Sequence, residues 1–224
     1  ELVTPGLSMN DNVLDQRSNN YLAALSFGKE KIGISLLDLS TGEFMVSQGN
    51  ENYIDKLLQS FNPSEVIYCK KFKERFETRL QDKYNTYCLE EWIFGLDYGY
   101  EKLTSHFKTA NLKGFGIEEM TDAICAAGAV LFYLEETEHK EVNHISAISR
   151  IEADKYVWLD KFTIRNLELL FTQQSDGTPL IDILDKTLTP MGARMLKKWL
   201  VLPLKDKAVI EERLSVVEAF VDRP

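Results

Sequence analysis

No stretch of this 224-residue chain is long enough to cross a bilayer: the longest uninterrupted apolar run, Ala123 to Leu134, has 12 residues, against about 20 for a membrane helix. That run reads as a buried helix. A basic, apolar, small-residue leader is also missing from the start, so a cytoplasmic location is expected. Cysteine is scarce. Cys69, Cys88 and Cys125 form an odd set with no C-x-x-C pairing, which speaks against a disulfide framework or a zinc site. Positive charge is not in excess either. A net charge of -9 leaves no basic footprint for a protein that simply coats nucleic acid. What is present is 44% hydrophobic and 27% charged residues, an ordinary globular mix that can fill a real core. The length allows one large domain or two small ones. The first residue is Glu1 and the last apolar-periodic segment runs straight into Asp222-Arg223-Pro224, so a piece of a longer chain is expected.

The usual signatures of catalysis are missing as well. No Gly-x-x-x-x-Gly-Lys-Ser/Thr loop occurs, and Gly114-Phe115-Gly116 leads into Ile117-Glu118-Glu119, which puts acids where a phosphate would sit. No Gly-x-Ser-x-Gly elbow appears. His139 and His144 are five apart, not the i, i+4 spacing of a helical metal pair, and His106 stands by itself; surface roles are expected for all three. The expectation is no catalytic, cofactor-binding or metal-ligating residue in this chain.

Charge is unevenly placed. Residues 149–224 carry twelve Lys or Arg and twelve Asp or Glu, so the whole net charge of -9 belongs to the first 148 residues. An acidic segment beside a neutral one suggests two units. After a polar, turn-rich lead-in through Asn20, three segments have strand character: Tyr21 to Gly28, Ile32 to Leu39 and Gly42 to Gln48. The first two are almost continuously apolar, as strands covered on both faces are, and the short glycine-bearing connections predict an antiparallel meander. The period then changes. Ile54, Leu57, Leu58 and Phe61 predict an amphipathic helix stopped at Asn62-Pro63. Glu65 to Cys69 reads as a strand, Phe72, Phe76 and Leu80 as one narrow helical stripe, and Tyr84 to Leu89 as a fifth strand. Helices are predicted over Leu96 to Lys108 and Met120 to Glu138. This order asks for a mixed five-stranded sheet with helices on its faces.

The unit boundary is placed near residue 147. Around and beyond it, Ile145 to Ile151 and Tyr156 to Leu159 read as extended, and helices are predicted from Phe162 to Phe171, Met191 to Leu202 and Asp206 to Val221. The second unit is therefore mainly α-helical. Thr189 is a natural N-cap with Pro190 at the first helical position.

Three antiparallel strands followed by alternating helices and strands is the layout of ribonuclease H-like nucleases. Those enzymes hold paired metals with carboxylates, beginning with an Asp in the first strand, yet Tyr21 to Gly28 has no acid at all. Asp38, ahead of Ser40-Thr41-Gly42, reads as a turn-stabilising acceptor. In the second unit Arg194, Lys197 and Lys198 share one helical flank and offer a weak phosphate contact. The competing reading is a solvated face opposite a buried stripe of Met191, Met195, Leu196, Trp199 and Leu200.

The segment Leu184-Asp185-Lys186-Thr187-Leu188-Thr189-Pro190-Met191-Gly192-Ala193-Arg194-Met195-Leu196-Lys197-Lys198-Trp199-Leu200, continuing to Pro203-Leu204, closely resembles the start of the core domain in the MutS family of DNA mismatch repair proteins. Val3-Thr4-Pro5-Gly6 and Arg17 to Ala24 resemble the lead-in to that family's connector domain, and Leu37 to Phe44 the strand and turn that follow. Gly114-Phe115-Gly116, Ala126 to Ala129 and Arg165 to Glu168 fall into the same register. The resemblance implies a ribonuclease H-like connector domain over residues 1–147 and an incomplete core or lever domain over 148–224. It implies a homodimeric parent that binds mismatched double-stranded DNA, uses ATP with Mg in an ATPase domain outside this chain, and recruits MutL. The family's mismatch reader is a Phe-x-Glu element in another domain; Phe72-Lys73-Glu74 matches the tripeptide but is assigned to the buried stripe of a connector helix. Two readings stand: a non-catalytic connector and interaction module, or an autonomous nucleic-acid-binding or processing domain on the same sheet.

Overall fold

The continuously apolar segments pair as strands because both of their faces find cover. β1 (Tyr21–Phe27), β2 (Ile32–Asp38) and β3 (Glu43–Gly49) form the antiparallel meander, with Leu22 opposite Leu37 and Leu37 opposite Phe44. A computed structural model describes residues 4–7, 16–74, 84–137, 139, 142–172, 174 and 176–222. Helix α1 (Glu51–Phe61) starts where the Asn50 side chain accepts from the Tyr53 amide at 2.9 Å and stops where Asn62 turns left-handed at φ 42°. It leads to β4 (Glu65–Cys69), parallel to β1, and β5 (Asn85–Leu89) lies parallel to β4.

The sheet has six strands, not five, in the order β5-β4-β1-β2-β3-β6. The sixth, β6 (Ser149–Arg150), runs parallel to β3 through Met45 and Val46. Two exposed residues carry no hydrophobic period, so only the tertiary pairing makes them a strand. The chain divides into one unit ending at Ile151 and another beginning at Glu152, and β6 belongs to the first.

Alternation along the strands sends Leu22, Ala24, Leu37, Phe44 and Val46 to one face, where they join the core of α3 (Thr121–Glu136). The other face meets α1, whose Phe61 ring stands edge-on to Tyr21 at 5.4 Å. Helix α3 is apolar on nearly all sides because it lies between the sheet and α2 (Leu96–Phe107). Close approach depends on glycine. A Cβ on Gly33 of β2 would lie 2.0 Å from the Asp122 carbonyl, and one on Gly128 of α3 would lie 2.4 Å from the Gly99 Cα of α2.

The stripe predicted through Phe72, Phe76 and Leu80 falls mostly outside the described residues. Phe72 itself ends a short 3-10 turn, Lys70–Phe72, and is half-buried with its ring 5.0 Å from Phe27. Its placement is that of a packing residue, though not in the buried helical stripe expected for it.

The second unit is mainly helical: α4 (Lys161–Asn166), α5 (Leu180–Leu184), α6 (Pro190–Val201) and α7 (Lys207–Asp222). Thr189 caps α6 by accepting from Gly192 N at 3.1 Å. Helix α4 is shorter than the predicted Phe162–Phe171 helix because Glu168 adopts φ 48° and breaks it. The Glu168 and Leu169 carbonyls then receive the Leu180 and Ile181 amides. The expected extended segment Tyr156–Leu159 contracts to a single bridge, Tyr156 to Leu204. Among the described residues no helix is long and apolar enough to cross a membrane.

Candidate functional site

The most prominent surface feature of the first unit is built from aromatic rings. A 3-10 turn, Glu91–Phe94, follows β5 and exposes Trp92, 58% accessible. Its indole stands edge-on to Tyr98 of α2 at 5.1 Å and to Phe132 of α3 at 5.4 Å. The next residue of α3, Tyr133, packs its ring 5.4 Å from Tyr87 of β5, which is 50% exposed. Two ring clusters are thus anchored on consecutive residues of α3, Phe132 and Tyr133. An exposed indole in contact with two further rings is a rigid, apolar anchor with a polar edge.

Ion pairs flank this patch. Glu90 and Glu91, at the start of the turn, pair with Lys70 and Lys71 of the neighbouring turn; both pairs are more than half exposed. Lys102 binds Glu135 and lies 5.6 Å from the centre of the Tyr98 ring. Burial pushes the Tyr98 hydroxyl above its ordinary value, with Lys102 opposing. Burial lowers the Lys102 ammonium, but the hydrogen bond and charge of Glu135 together with Tyr98 outweigh it and the net shift is upward, which keeps it cationic. Beside the patch, a shallow groove is lined by Leu96, Asp97, Tyr100, Glu101 and Glu118. Glu118 is held in place there, accepting from Tyr100 Oη at 3.1 Å and from Leu112 N at 2.9 Å. The arrangement suits a partner that brings apolar anchors and positive charge.

The other residues singled out in the sequence fall into structural places. Asp38 is fully buried at the β2–β3 turn, where Oδ1 accepts from Ser40 N at 3.0 Å and Ser40 Oγ at 2.6 Å, and Oδ2 accepts from Asn19 Nδ2 at 2.7 Å. The turn occupies one oxygen and Asn19, ahead of β1, the other. Of the three histidines expected at the surface, His144 is exposed, His106 is half-buried and only His139 departs from the expectation. His139 is buried with Nδ1 3.0 Å from Thr137 Oγ1, while the Nε2 atoms of His106 and His144 meet the carbonyls of Ile145 and Leu39 at 2.8 and 2.6 Å. The His106 and His144 rings thereby tie the segment that connects α3 to β6 to α2 and to the end of β2, while Ile145 and Ile148 of that segment are buried in the core. Among the described residues, no group of three or more His, Cys, Asp or Glu is placed to hold a metal. Cys69 and Cys125 are buried free thiols and Cys88 is half-buried; burial raises the Cys125 thiol to about 11.

Arg194, Lys197 and Lys198 do share a flank of α6, at i, i+3 and i+4. The expected burial is reversed, however: Met191 and Met195 are exposed, the three cations are half-buried, and each has interactions within the protein. Helix α6 turns Ala193 and Val201 inward instead. The Arg213 guanidinium of α7 covers the Trp199 ring at 4.1 Å. Sequence reasoning did not find the Trp92 cluster. Its one signal was Glu90-Glu91-Trp92, a large aromatic directly behind two acids in a short connection.

A family model for MutS domain II matches residues 20–146, and one for MutS domain III matches residues 162–224. The DNA mismatch repair protein MutS of Cytophaga hutchinsonii is 63% identical over 221 residues, covering 99% of this chain and 26% of that relative. Its counterpart in Flavobacterium psychrophilum is 54% identical over 222 residues, again 99% of this chain and 26% of the relative. That of Bacteroides fragilis is 50% identical over the full 224 residues. The chain thus spans about a quarter of the length of the curated relatives it matches. It belongs to the MutS family of DNA mismatch repair proteins, carrying domain II and reaching into domain III.

Proposed function

We propose that this chain is the non-catalytic connector and protein-interaction module of a mismatch repair ATPase, and that the Trp92 surface is where it recruits MutL. The observation that carries the reading is an exposed, pre-packed aromatic cluster flanked by ion-paired glutamates and by the acidic groove of Asp97, Glu101 and Glu118, on the unit that holds nearly all of the chain's excess negative charge. Such a surface repels a phosphate backbone and favours a basic, apolar protein partner. The strand order, with β1 to β3 antiparallel and β4 and β5 parallel to β1, supports a ribonuclease H-like connector. The buried, fully engaged Asp38 supports a connector without nuclease chemistry. In this reading the parent is a cytoplasmic homodimer that binds mismatched double-stranded DNA. Its ATP and Mg belong to a domain outside these residues, and the module relays between base reading and hydrolysis.

Alanine at Trp92 in the full-length protein tests the docking reading. Exposed aromatic anchors carry a disproportionate share of interface energy. Trp92→Ala is therefore expected to weaken MutL association by about tenfold, with a smaller loss on charge reversal at Asp97 and Glu101. Unchanged MutL capture by Trp92→Ala, with mismatch binding intact, excludes this surface. A second reading, a backbone contact through Arg194, Lys197 and Lys198, draws on their shared flank of α6.

A further inference from the structure

Glu65, the first residue of β4, is only 4% exposed, and the hydrogen bonds it accepts come from neutral donors. Its two oxygens serve different parts of the unit. Oε2 accepts from Thr4 Oγ1 at 2.6 Å and from Gly6 N at 3.0 Å, both in the lead-in segment. Oε1 accepts from Tyr133 Oη of α3 at 2.8 Å. A buried carboxylate is tolerated only while such bonds are complete.

The lead-in is seated closely. Leu7 is buried in the main core, Asn20 Nδ2 donates to the Pro5 carbonyl at 3.0 Å, and a Cβ on Gly6 would lie 2.9 Å from the Glu65 Cβ. On the other side, the Tyr133 ring supports the exposed Tyr87 ring, and the adjacent Phe132 supports Trp92. Burial first, then the Glu65 carboxylate, push the Tyr133 hydroxyl well above its ordinary value, so it stays a donor. If the lead-in moves, Oε2 loses both donors at once. The carboxylate then regains partners by rotating away from Tyr133 or by admitting water.

We propose that Glu65 is a positioning residue that couples the seating of Thr4–Leu7 to the aromatic docking surface, so that unseating the lead-in shifts Tyr133 and Tyr87 and loosens the partner's hold. This rests on the reading of that surface as a docking site. The coupling is the difference in partner affinity between the seated and unseated states, and it acts equally in reverse. Partner binding holds the lead-in down.

The test uses Thr4→Val, Tyr133→Phe and their combination in the full-length protein, read by amide hydrogen exchange and by MutL affinity. Gly6→Ala serves as a second displacement that leaves every hydrogen-bonding group in place. Thr4→Val is expected to speed exchange in Tyr87–Leu89 and to weaken MutL binding, each by about threefold. Gly6→Ala acts in the same direction. The double variant is expected to be no worse than the worse single one, because both cut the same link. Unchanged exchange at Tyr87–Leu89 in Thr4→Val and Gly6→Ala, or losses that multiply in the double variant, overturns the coupling. A response in exchange while Trp92→Ala leaves MutL binding intact supports the coupling and removes the docking reading instead.

Discussion

Asp38 shows how one residue type carries two opposite readings until its neighbours are placed. An acid near the end of a strand in this layout is a candidate metal ligand, and only the orientation of Ser40 and Asn19 decides otherwise. With three donors converging on it, Asp38→Ala removes three hydrogen bonds at once and is expected to cost about 3 kcal/mol of stability. Asp38→Asn keeps one acceptor for Ser40 and loses less. Urea unfolding of the two variants checks this, and a Asp38→Ala midpoint equal to that of the unchanged chain contradicts the turn role. The Ser-Thr-Gly sequence behind Asp38 made the turn legible. Nothing comparable marked Glu65, because its three partners come from residues 4, 6 and 133, far apart in the chain.

At the scale of elements, the strands and long helices could be read because their cover is local in pattern. Continuous apolar runs marked β1 and β2, and Thr189-Pro190 fixed the start of α6. What could not be read depends on pairing across the chain. β6 is a strand only by virtue of β3, and α4 ends early because the Glu168 and Leu169 carbonyls bind amides from residues 180 and 181. The Trp92 surface belongs with these, since whether an indole is exposed depends on where α2 and α3 lie. The α2–α3 contact is itself set by glycine. Gly128→Ala drives a methyl group into the Gly99 backbone, with no flexible side chain to yield. A loss of about 3 kcal/mol is expected, together with spreading of the two helices that carry Tyr98 and Phe132. Denaturant unfolding measures the first effect and Trp92 fluorescence the second; a Gly128→Ala chain as stable as the original means that the helices separate freely.

For the whole molecule, the decisive contrast is between an acidic first unit and a neutral, helical second one. A connector and an autonomous nucleic-acid-binding domain differ in what this contrast does on DNA. Phosphate contacts are sequence-independent and fall steeply with salt, so three half-buried cations on α6 give at most weak binding that ignores base pairing. Titrating the chain against a labelled G·T heteroduplex and its matched homoduplex, followed by fluorescence anisotropy, is expected to show equal, weak binding at low salt that disappears at physiological salt. Replacing Arg194, Lys197 and Lys198 together by Ala is expected to remove even that. Equal binding places base discrimination outside residues 1–224, as a relay requires. A reproducible preference for the heteroduplex would instead require a base-reading group within this chain. Phe72, half-buried against Phe27, would then have to leave its packing to reach a base, and the connector reading would give way to the autonomous one.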